Sequence, residues 1–344
     1  MESLYNLNYD QMCEYALDHG WKSYRGHQIF QWLYRNRVFD IDEMSNVSKE
    51  TREILKKDFI VNPLELIKKQ VSHDGTTKFL FKTSDGALLE SVMMVFDYGR
   101  SVCVSSQVGC NMGCAFCASG LKRDLTSGEM VAQVMYVQKE LDKDNLRLSH
   151  IVVMGTGEPF DNYDNVMNFL ATVNHDRGLG IGSRHITIST CGIVPRIYDF
   201  ANEHTQYNLA ISLHAPNDEF RDKLMPVNHA YPLKELMEAV KYYGQENNRR
   251  LTFEYILLNG VNDRPEHAKQ LSKLLHGMNA YVNLIPYNAV DEKGFKSVSH
   301  DEAMVFYDLL MKNHVRCTIR KEHGNDIDAA CGQLRIKEIK KEGI

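Results

Sequence analysis

The hydrophobic pattern changes character along the chain. Over residues 1–65 apolar positions fall at helical spacing. In Gly26-His-Gln-Ile-Phe-Gln-Trp-Leu-Tyr, Ile29, Phe30, Leu33 and Tyr34 share one face. This predicts a basic, amphipathic helical segment. From about 66 to 97 the pattern alternates. Lys78-Phe-Leu-Phe-Lys and Leu88-Leu-Glu-Ser-Val-Met-Met-Val-Phe flank Asp85-Gly86, which predicts a β-hairpin. Beyond that, strands and helices take turns. The predicted strands are Val102–Ser106, Ile151–Gly155, His185–Thr190, Asn208–His214, Leu251–Leu258, Tyr281–Tyr287 and Cys317–Lys321. Thr126-Ser-Gly-Glu129 and Ser299-His-Asp-Glu302 are capping boxes that open two of the helices between them. Pro232 and Pro265 suit the first turns of two more. Strands separated by such helices predict right-handed βαβ units, and about six of them an open parallel barrel. In these sheets chemistry collects at the carboxyl ends of the strands.

Composition narrows the class. The 344 residues are 43% hydrophobic and 25% charged, as in an ordinary globular protein. No run approaches the roughly 18 apolar residues of a membrane span. The acidic, polar opening Met-Glu-Ser-Leu-Tyr argues against export and for a cytoplasmic protein. A formal charge of −5 does not advertise a nucleic-acid partner. Basic pairs such as Lys56 and Lys57 read first as solvated faces. Eight cysteines in a reducing compartment read as metal ligands, reactive thiols and buried small hydrophobes.

Three of those cysteines stand together. Cys110-Asn-Met-Gly-Cys114-Ala-Phe-Cys117 follows the first strand of the alternating set and puts three thiolates on one loop. A cubane 4Fe-4S cluster normally takes four cysteines, so three leave one iron open to a small molecule. A structural zinc site would show paired cysteines and a fourth ligand, and no second pair follows. Met154-Gly-Thr-Gly157-Glu158-Pro159 ends the second strand; its glycines admit a ligand to the backbone and its carboxylate can accept from a cation. Ser189, then Ser212-Leu213-His214, then Asn288 lie at three further strand ends. Any one of them could simply satisfy loop backbone. Together they offer a polar cofactor hydroxyl, imidazole and amide partners. Cys103 and Cys331 stand alone, and a lone cysteine is most often inert. The polar surroundings of Cys331, Asp326-Ile-Asp-Ala-Ala-Cys-Gly-Gln-Leu, make it the better candidate for reactivity. Cys317 fits a strand core, Cys191 follows a strand end, and Cys13 lies on the N-terminal helical segment.

The cysteine loop resembles that of the radical S-adenosylmethionine (SAM) enzymes. A wider set resembles the RlmN/Cfr radical SAM RNA methyltransferases: Cys103-Val-Ser-Ser-Gln-Val-Gly-Cys110, Met154-Gly-Thr-Gly-Glu-Pro-Phe, Ser212-Leu-His-Ala, Leu224-Met-Pro-Val-Asn, Gly260-Val-Asn-Asp and the Cys331 segment. The resemblance implies an α/β fold, a radical SAM partial (β/α)6 barrel with an N-terminal helical accessory domain and a β-hairpin extension. It implies an RNA-binding domain at 1–65, a hairpin linker at 66–97, a radical SAM core at 98–325 and a C-terminal loop and tail at 326–344. It further implies a 4Fe-4S cluster on Cys110, Cys114 and Cys117, and two SAM molecules per turnover. SAM contacts would come from Gly157, Glu158, Ser189, Ser212, Leu213, His214 and Asn288.

In the chemistry so implied, an adenine ring carbon is methylated through S-methylated Cys331. Cys103 then releases the product by a transient disulfide with Cys331. Glu90 matches the proton acceptor, with Cys103 competing for that role. The implied partners are 23S rRNA, certain tRNAs and a small electron donor, a flavodoxin or ferredoxin, with Arg25, Lys56 and Lys57 as phosphate contacts. Pro159 favours the RlmN type, which modifies C2, over the Cfr type, which modifies C8 and confers antibiotic resistance. Thr156 departs from the fuller Met-Gly-Met-Gly pattern. A non-catalytic RNA-binding factor built on the same fold is the third reading.

Overall fold

The computed structural model describes residues 1–117, 123–288, 293–321, 323–324, 326–327, 334–335 and 338. Its N-terminal layer holds β1 (Glu2–Ser3), α1 (Tyr9–Asp18), α2 (Tyr24–Tyr34), α3 (Lys49–Asp58) and β2 (Phe59–Ile60). Four strands follow: β3 (Leu64–Val71), β4 (Thr77–Thr83), β5 (Leu88–Phe96) and β6 (Gly99–Cys103). The short pair β7 (Gln107–Val108) and β8 (Arg123–Asp124) brackets the cysteine loop. Then come α4 (Ser127–Asp142), β9 (Leu148–Val153), α5 (Tyr163–Asn174), β10 (Ile186–Thr190), α6 (Val194–Asn202) and β11 (Asn208–Ser212). The chain continues through α7 (Asp218–Leu224), α8 (Val227–Ala230), α9 (Leu233–Asn247), β12 (Leu251–Leu257) and α10 (Pro265–Leu274). It reaches β13 (Ala280–Pro286), α11 (His300–Lys312) and β14 (Arg316–Ile319).

One ten-stranded sheet organises these elements, in the order β14-β13-β12-β11-β10-β9-β6-β5-β4-β3. From β6 to β14 neighbouring strands are parallel, while β3, β4, β5 and β6 pair antiparallel. All seven strands predicted for the alternating region are present. The first ends at Cys103 rather than Ser106, because the Ser106 and Gln107 amides leave the ladder and donate to the Thr156 carbonyl. The hairpin forms as expected, with Gly86 at φ +83° in the left-handed region. Its strands extend the barrel sheet itself. Both capping boxes form, Thr126 with Glu129 and Ser299 with Glu302. Pro265 occupies the first turn of α10, and Pro232 stands one residue earlier, as the cap of α9.

Strand alternation sorts the side chains. Phe79 and Phe81 point from β4 toward α4, where Phe81 meets Tyr136 at 5.0 Å between centroids. On β5, Ser91 reaches Gln133 of α4 at 2.7 Å. The intervening residues face the other way, so Lys78, Val92, Cys103 and Val152 form one row across four strands. Glu90 lies two residues from Val92 on that same face. The N-terminal layer is continuous with the barrel core: Leu4, Phe30, Leu33 and Leu55 belong to the same buried cluster as Val131, Phe169 and Ile188. Ile29, Phe30, Leu33 and Tyr34 are all buried, as their spacing predicts. Among the described residues no helix is long and apolar enough to cross a membrane.

Candidate active site

Two motif loops are laced together at the strand ends. The Gly155 amide donates to the Val104 carbonyl, and the Ser106 and Gln107 amides donate to Thr156. The Glu158 amide donates to the Gln107 side chain at 2.8 Å. Gly157 has φ +119°, and a Cβ there would stand 2.6 Å from Ser106 Oγ and 2.7 Å from the Gln107 nitrogen. Only glycine fits that crossing. The Glu158 carboxylate is buried and accepts the Phe160 amide at 3.0 Å and the Cys191 amide at 2.7 Å. Burial pushes its carboxyl up despite those amides.

The cysteine loop packs against this crossing. Gly113 takes the left-handed turn between Cys110 and Cys114 at φ +65°. The Ala115 amide donates to the Leu224 carbonyl at 2.9 Å. Met112, Cys114 and Phe116 lie on a small apolar cluster of Cys191, Ala215, Leu224, Met225, Leu258 and Tyr287. The thiols sense one another. Burial first, then the Cys117 and Cys110 charges, pushes the Cys114 thiol up to about 12. Burial also raises Cys110 to about 11, with Glu158 and Cys117 adding to it. Among the described residues no three His, Cys, Asp or Glu side chains close on a point that could hold a single metal ion. A cubane takes each thiolate on a separate iron, so its ligands need not converge on one point. Half-buried Cys110 and Cys114, held in the thiol form by burial and by neighbouring negative charge, suit a cationic iron–sulfur core, which draws its ligands into the thiolate form.

Sequence reasoning passed over Arg221, which is fully buried on α7. It donates to the Cys191 carbonyl at 2.5 Å, to Leu213 at 3.3 Å and to Asn228 Oδ1 at 2.8 Å. One guanidinium thus ties the ends of β10 and β11 together, and its charge favours the Cys114 thiolate. The signal was present in the Leu224-Met-Pro-Val-Asn motif, whose Asn228 is the partner of Arg221. Asn262 of Gly260-Val-Asn-Asp acts similarly, donating to the carbonyls of His214 at 2.8 Å and Ile256 at 2.7 Å.

The other predicted positions spread around the mouth. Ser189 and Ser212 touch through their hydroxyls at 3.3 Å. The Leu213 side chain is buried in the core. His214 is buried, with φ +55°, and its Nδ1 accepts the Ile256 amide at 3.1 Å. Burial, then Arg221, lowers its pKa to about 3, so the ring is neutral and Nε2 carries the proton. Phe116 of the cysteine loop meets the ring edge-on at 5.0 Å. Asn288 is exposed beyond the end of β13. Cys191 and Cys317 are buried.

A second polar group lines the row below. Lys78, fully buried, pairs with Glu90 at 3.0 Å. Glu90 Oε1 also accepts the Arg335 amide at 2.5 Å, which brings the C-terminal segment onto β5. Cys103 lies on the neighbouring strand; burial raises its thiol, and Arg320 and Lys78 act in the opposite sense. Glu254 is buried across the barrel and accepts from Asn283 at 2.9 Å. Neither Lys78, which is buried, nor Arg320, which is exposed just beyond β14, was singled out from sequence, because a lone cation gives no local signal of the strands it will meet. Cys331 lies outside the described residues. Of the three basic residues expected to meet phosphate, Lys56 is already paired with Asp42 at 2.5 Å, whereas Lys57 is exposed.

Comparison with known proteins fits this geometry. Residues 104–271 match the model of the radical SAM superfamily. Residues 2–61 match that of the ribosomal RNA large subunit methyltransferase N-terminal domain. A protein of Listeria welshimeri, named probable dual-specificity RNA methyltransferase RlmN, is 57% identical, with 99% of this chain and 95% of the relative aligned. A protein of the same name from Enterococcus faecalis is 55% identical over 100% of this chain and 98% of its own. The crystal structure of a radical SAM methyltransferase from Sphaerobacter thermophilus superposes with a TM-score of 0.93 at 42% identity, covering 97% of this chain and 99% of that one.

Proposed function

This chain belongs to the RlmN family of dual-specificity radical SAM RNA methyltransferases, and from that premise we propose that it methylates C2 of an adenine in 23S rRNA and of an adenine in certain tRNAs. The observation that carries the reading is the arrangement around β6. Cys103 is its last residue, the cysteine loop follows it in the chain, and Glu90 of the neighbouring β5 receives the Arg335 amide from the C-terminal segment. When bound on Cys110, Cys114 and Cys117, the 4Fe-4S cluster supplies one-electron cleavage of SAM, of which each turnover uses two molecules.

The chain's own residues do the rest. Gly157, Ser189, Ser212, the Leu213 backbone, His214 and Asn288 surround the place where SAM would dock. Glu158 acts through its carboxylate on the Cys191 and Phe160 amides, shaping that wall. His214, neutral and fixed by the Ile256 amide, offers an Nε2–H donor. Cys331 accepts a methyl group on sulfur and carries it to the base. Glu90 takes the C2 proton, with Lys78 as its buried countercharge. Cys103 then attacks the Cys331 sulfur. A sulfur–sulfur bond forms, and the bond from sulfur to the base-bound carbon breaks. Its electron pair stays on that carbon, which takes up a proton to complete the methyl group, and a thiol reductant later reopens the disulfide. Burial raises the Cys103 thiol, and Arg320 and Lys78 offset part of that rise toward the thiolate this step needs. The reaction takes place in the cytoplasm, and a small flavodoxin or ferredoxin provides the electron. Residues 1–65, with Lys57 exposed and Arg25 half-buried and donating to Gln28, form the RNA-binding layer.

Nucleoside analysis of 23S rRNA and tRNA treated with the reconstituted protein tests this reading. 2-Methyladenosine is the expected product. 8-Methyladenosine would replace the C2 assignment with C8, and neither product, with SAM cleavage absent, would leave a non-catalytic RNA-binding factor.

A further inference from the structure

The hairpin strands β3 and β4 end in a turn that does more than reverse the chain. At that turn two carboxylates exchange backbone amides with the C-terminal segment. Asp326 Oδ2 accepts the His73 amide at 3.1 Å. In return, Asp74 Oδ2 accepts the Gly324 amide at 3.0 Å. Ser72 Oγ donates to the other oxygen of Asp326. Two imidazoles flank the exchange, His323 at 3.4 Å from Asp74 and His73 at 3.7 Å from Asp326. The His323 ring also packs edge-on against Phe96 of β5, with centroids 4.9 Å apart. Burial disfavours the Asp74 anion, but the Thr76 and Gly324 amides outweigh it and hold the carboxyl well below its usual range.

Past Cys331 the segment is caught again. Glu90 takes the Arg335 amide at 2.5 Å. Lys68 of β3 pairs with Glu338 at 2.6 Å. The contacts therefore fall at 323–326 and at 335–338, and Cys331 lies between them in sequence. All of the partners stand on β3, β4, β5 or the turn that joins β3 to β4. These strands belong to the ten-stranded sheet.

We propose that the β3–β4 turn is a clasp that fixes the C-terminal segment ahead of Cys331 and thereby positions that cysteine for methyl transfer. Asp74 and Asp326 are positioning residues; neither touches the reacting atoms. The proposal rests on the reading of Cys331 as the methyl carrier, because the clasp needs a cargo to position. Bonds of an amide to a carboxylate from two segments at once are stronger than neutral ones and fix direction as well as distance.

The test uses the full chain reconstituted with its cluster, comparing wild type with Asp74→Ala, Asp326→Ala and the double variant. Two readouts are taken: hydrogen exchange of peptides covering 68–78 and 321–338, and the rate at which the Cys331 peptide gains a methyl group. In either single variant both peptides should exchange at least about tenfold faster, the factor that the loss of one charged hydrogen bond implies. Cys331 methylation should slow by a similar factor, while more deoxyadenosine forms per methylated base. The double variant should be little worse than either single one, since both carboxylates hold the same junction. Asp74→Asn, which keeps an acceptor oxygen, should recover most of the rate. Where Asp74→Ala loses its cluster, Asp74→Asn and Asp326→Ala carry the comparison. Unchanged exchange in 321–338 would overturn the clasp. Faster exchange with unchanged methylation and coupling would overturn its positioning role. No methyl group on Cys331 in the wild type would overturn the reading beneath, and the exchange arm would still judge the clasp.

Discussion

Lys78 shows how much depends on single buried side chains here. Its ammonium is fully buried and 3.0 Å from the Glu90 carboxylate. Removing one member of such a pair leaves an uncompensated charge in a low-dielectric site. Lys78→Met should destabilise the protein by about 3 kcal/mol in urea unfolding. Lys78→Met combined with Glu90→Leu should recover much of that loss while abolishing base methylation. His214 gives a pH signature. Its folded pKa of about 3 lies below the ordinary value of 6.5. Between those values the unfolded chain binds the proton and the folded one does not. Stability from this residue is therefore complete above about pH 6.5 and declines as the pH falls toward 3, by at most about 1.4 kcal/mol per unit. His214→Asn should flatten that part of the stability curve relative to wild type; an unchanged slope would mean that other groups set it. At this scale the sequence was only partly readable. The three loop cysteines are adjacent and declare themselves by spacing. Arg221 and Lys78 matter because the fold buries them, and the exposed Arg320 because the fold brings its charge near Cys103; all three effects require contacts between distant positions.

At the scale of elements, the site is a set of strand ends held by short side-chain and backbone ties. The crossing of Val104–Gln107 with Gly155–Glu158 is the tightest of them. Gly157→Ala should cost about 2–3 kcal/mol, because it combines an unfavourable φ with overpacking against backbone. Thermal unfolding should show that loss, and the variant should retain less iron after reconstitution. Cys114→Ala should remove the iron–sulfur chromophore with a smaller effect on the fold, since its side chain packs only at the edge of the small apolar cluster. The strands and several helix starts were legible in advance, since period-two runs, capping boxes and prolines are local signals. Strand ends were less so. The first barrel strand ends three residues early because its ladder is abandoned for the Thr156 carbonyl, a partner about fifty residues away in sequence.

The molecule as a whole is built around one core. The N-terminal helices contribute Leu4, Phe30 and Leu33 to the cluster that also holds α4 and α5. Asn6 reinforces the seam: its side-chain oxygen takes the Gly128 amide at 2.8 Å, and its carbonyl takes Asn168 Nδ2 at 2.7 Å. A chain lacking residues 1–61 should therefore lose solubility as well as RNA affinity, and size-exclusion chromatography would show aggregate where a separable module would run as a monomer. The sequence pattern marks this region as helical and amphipathic, and it does not reveal what the apolar face meets.

The sheet is open, with β14 at one margin and β3 at the other. After β14 the chain crosses to the hairpin, touching Asp74 and then Lys68 of β3. The described residues of the C-terminal stretch thus also stitch the chain that follows β14 to the opposite margin of an open sheet, and bare selvages are where sheets recruit strangers. Cutting it off to delete one thiol would unpick the seam as well, and light scattering would register the damage before any assay of turnover did.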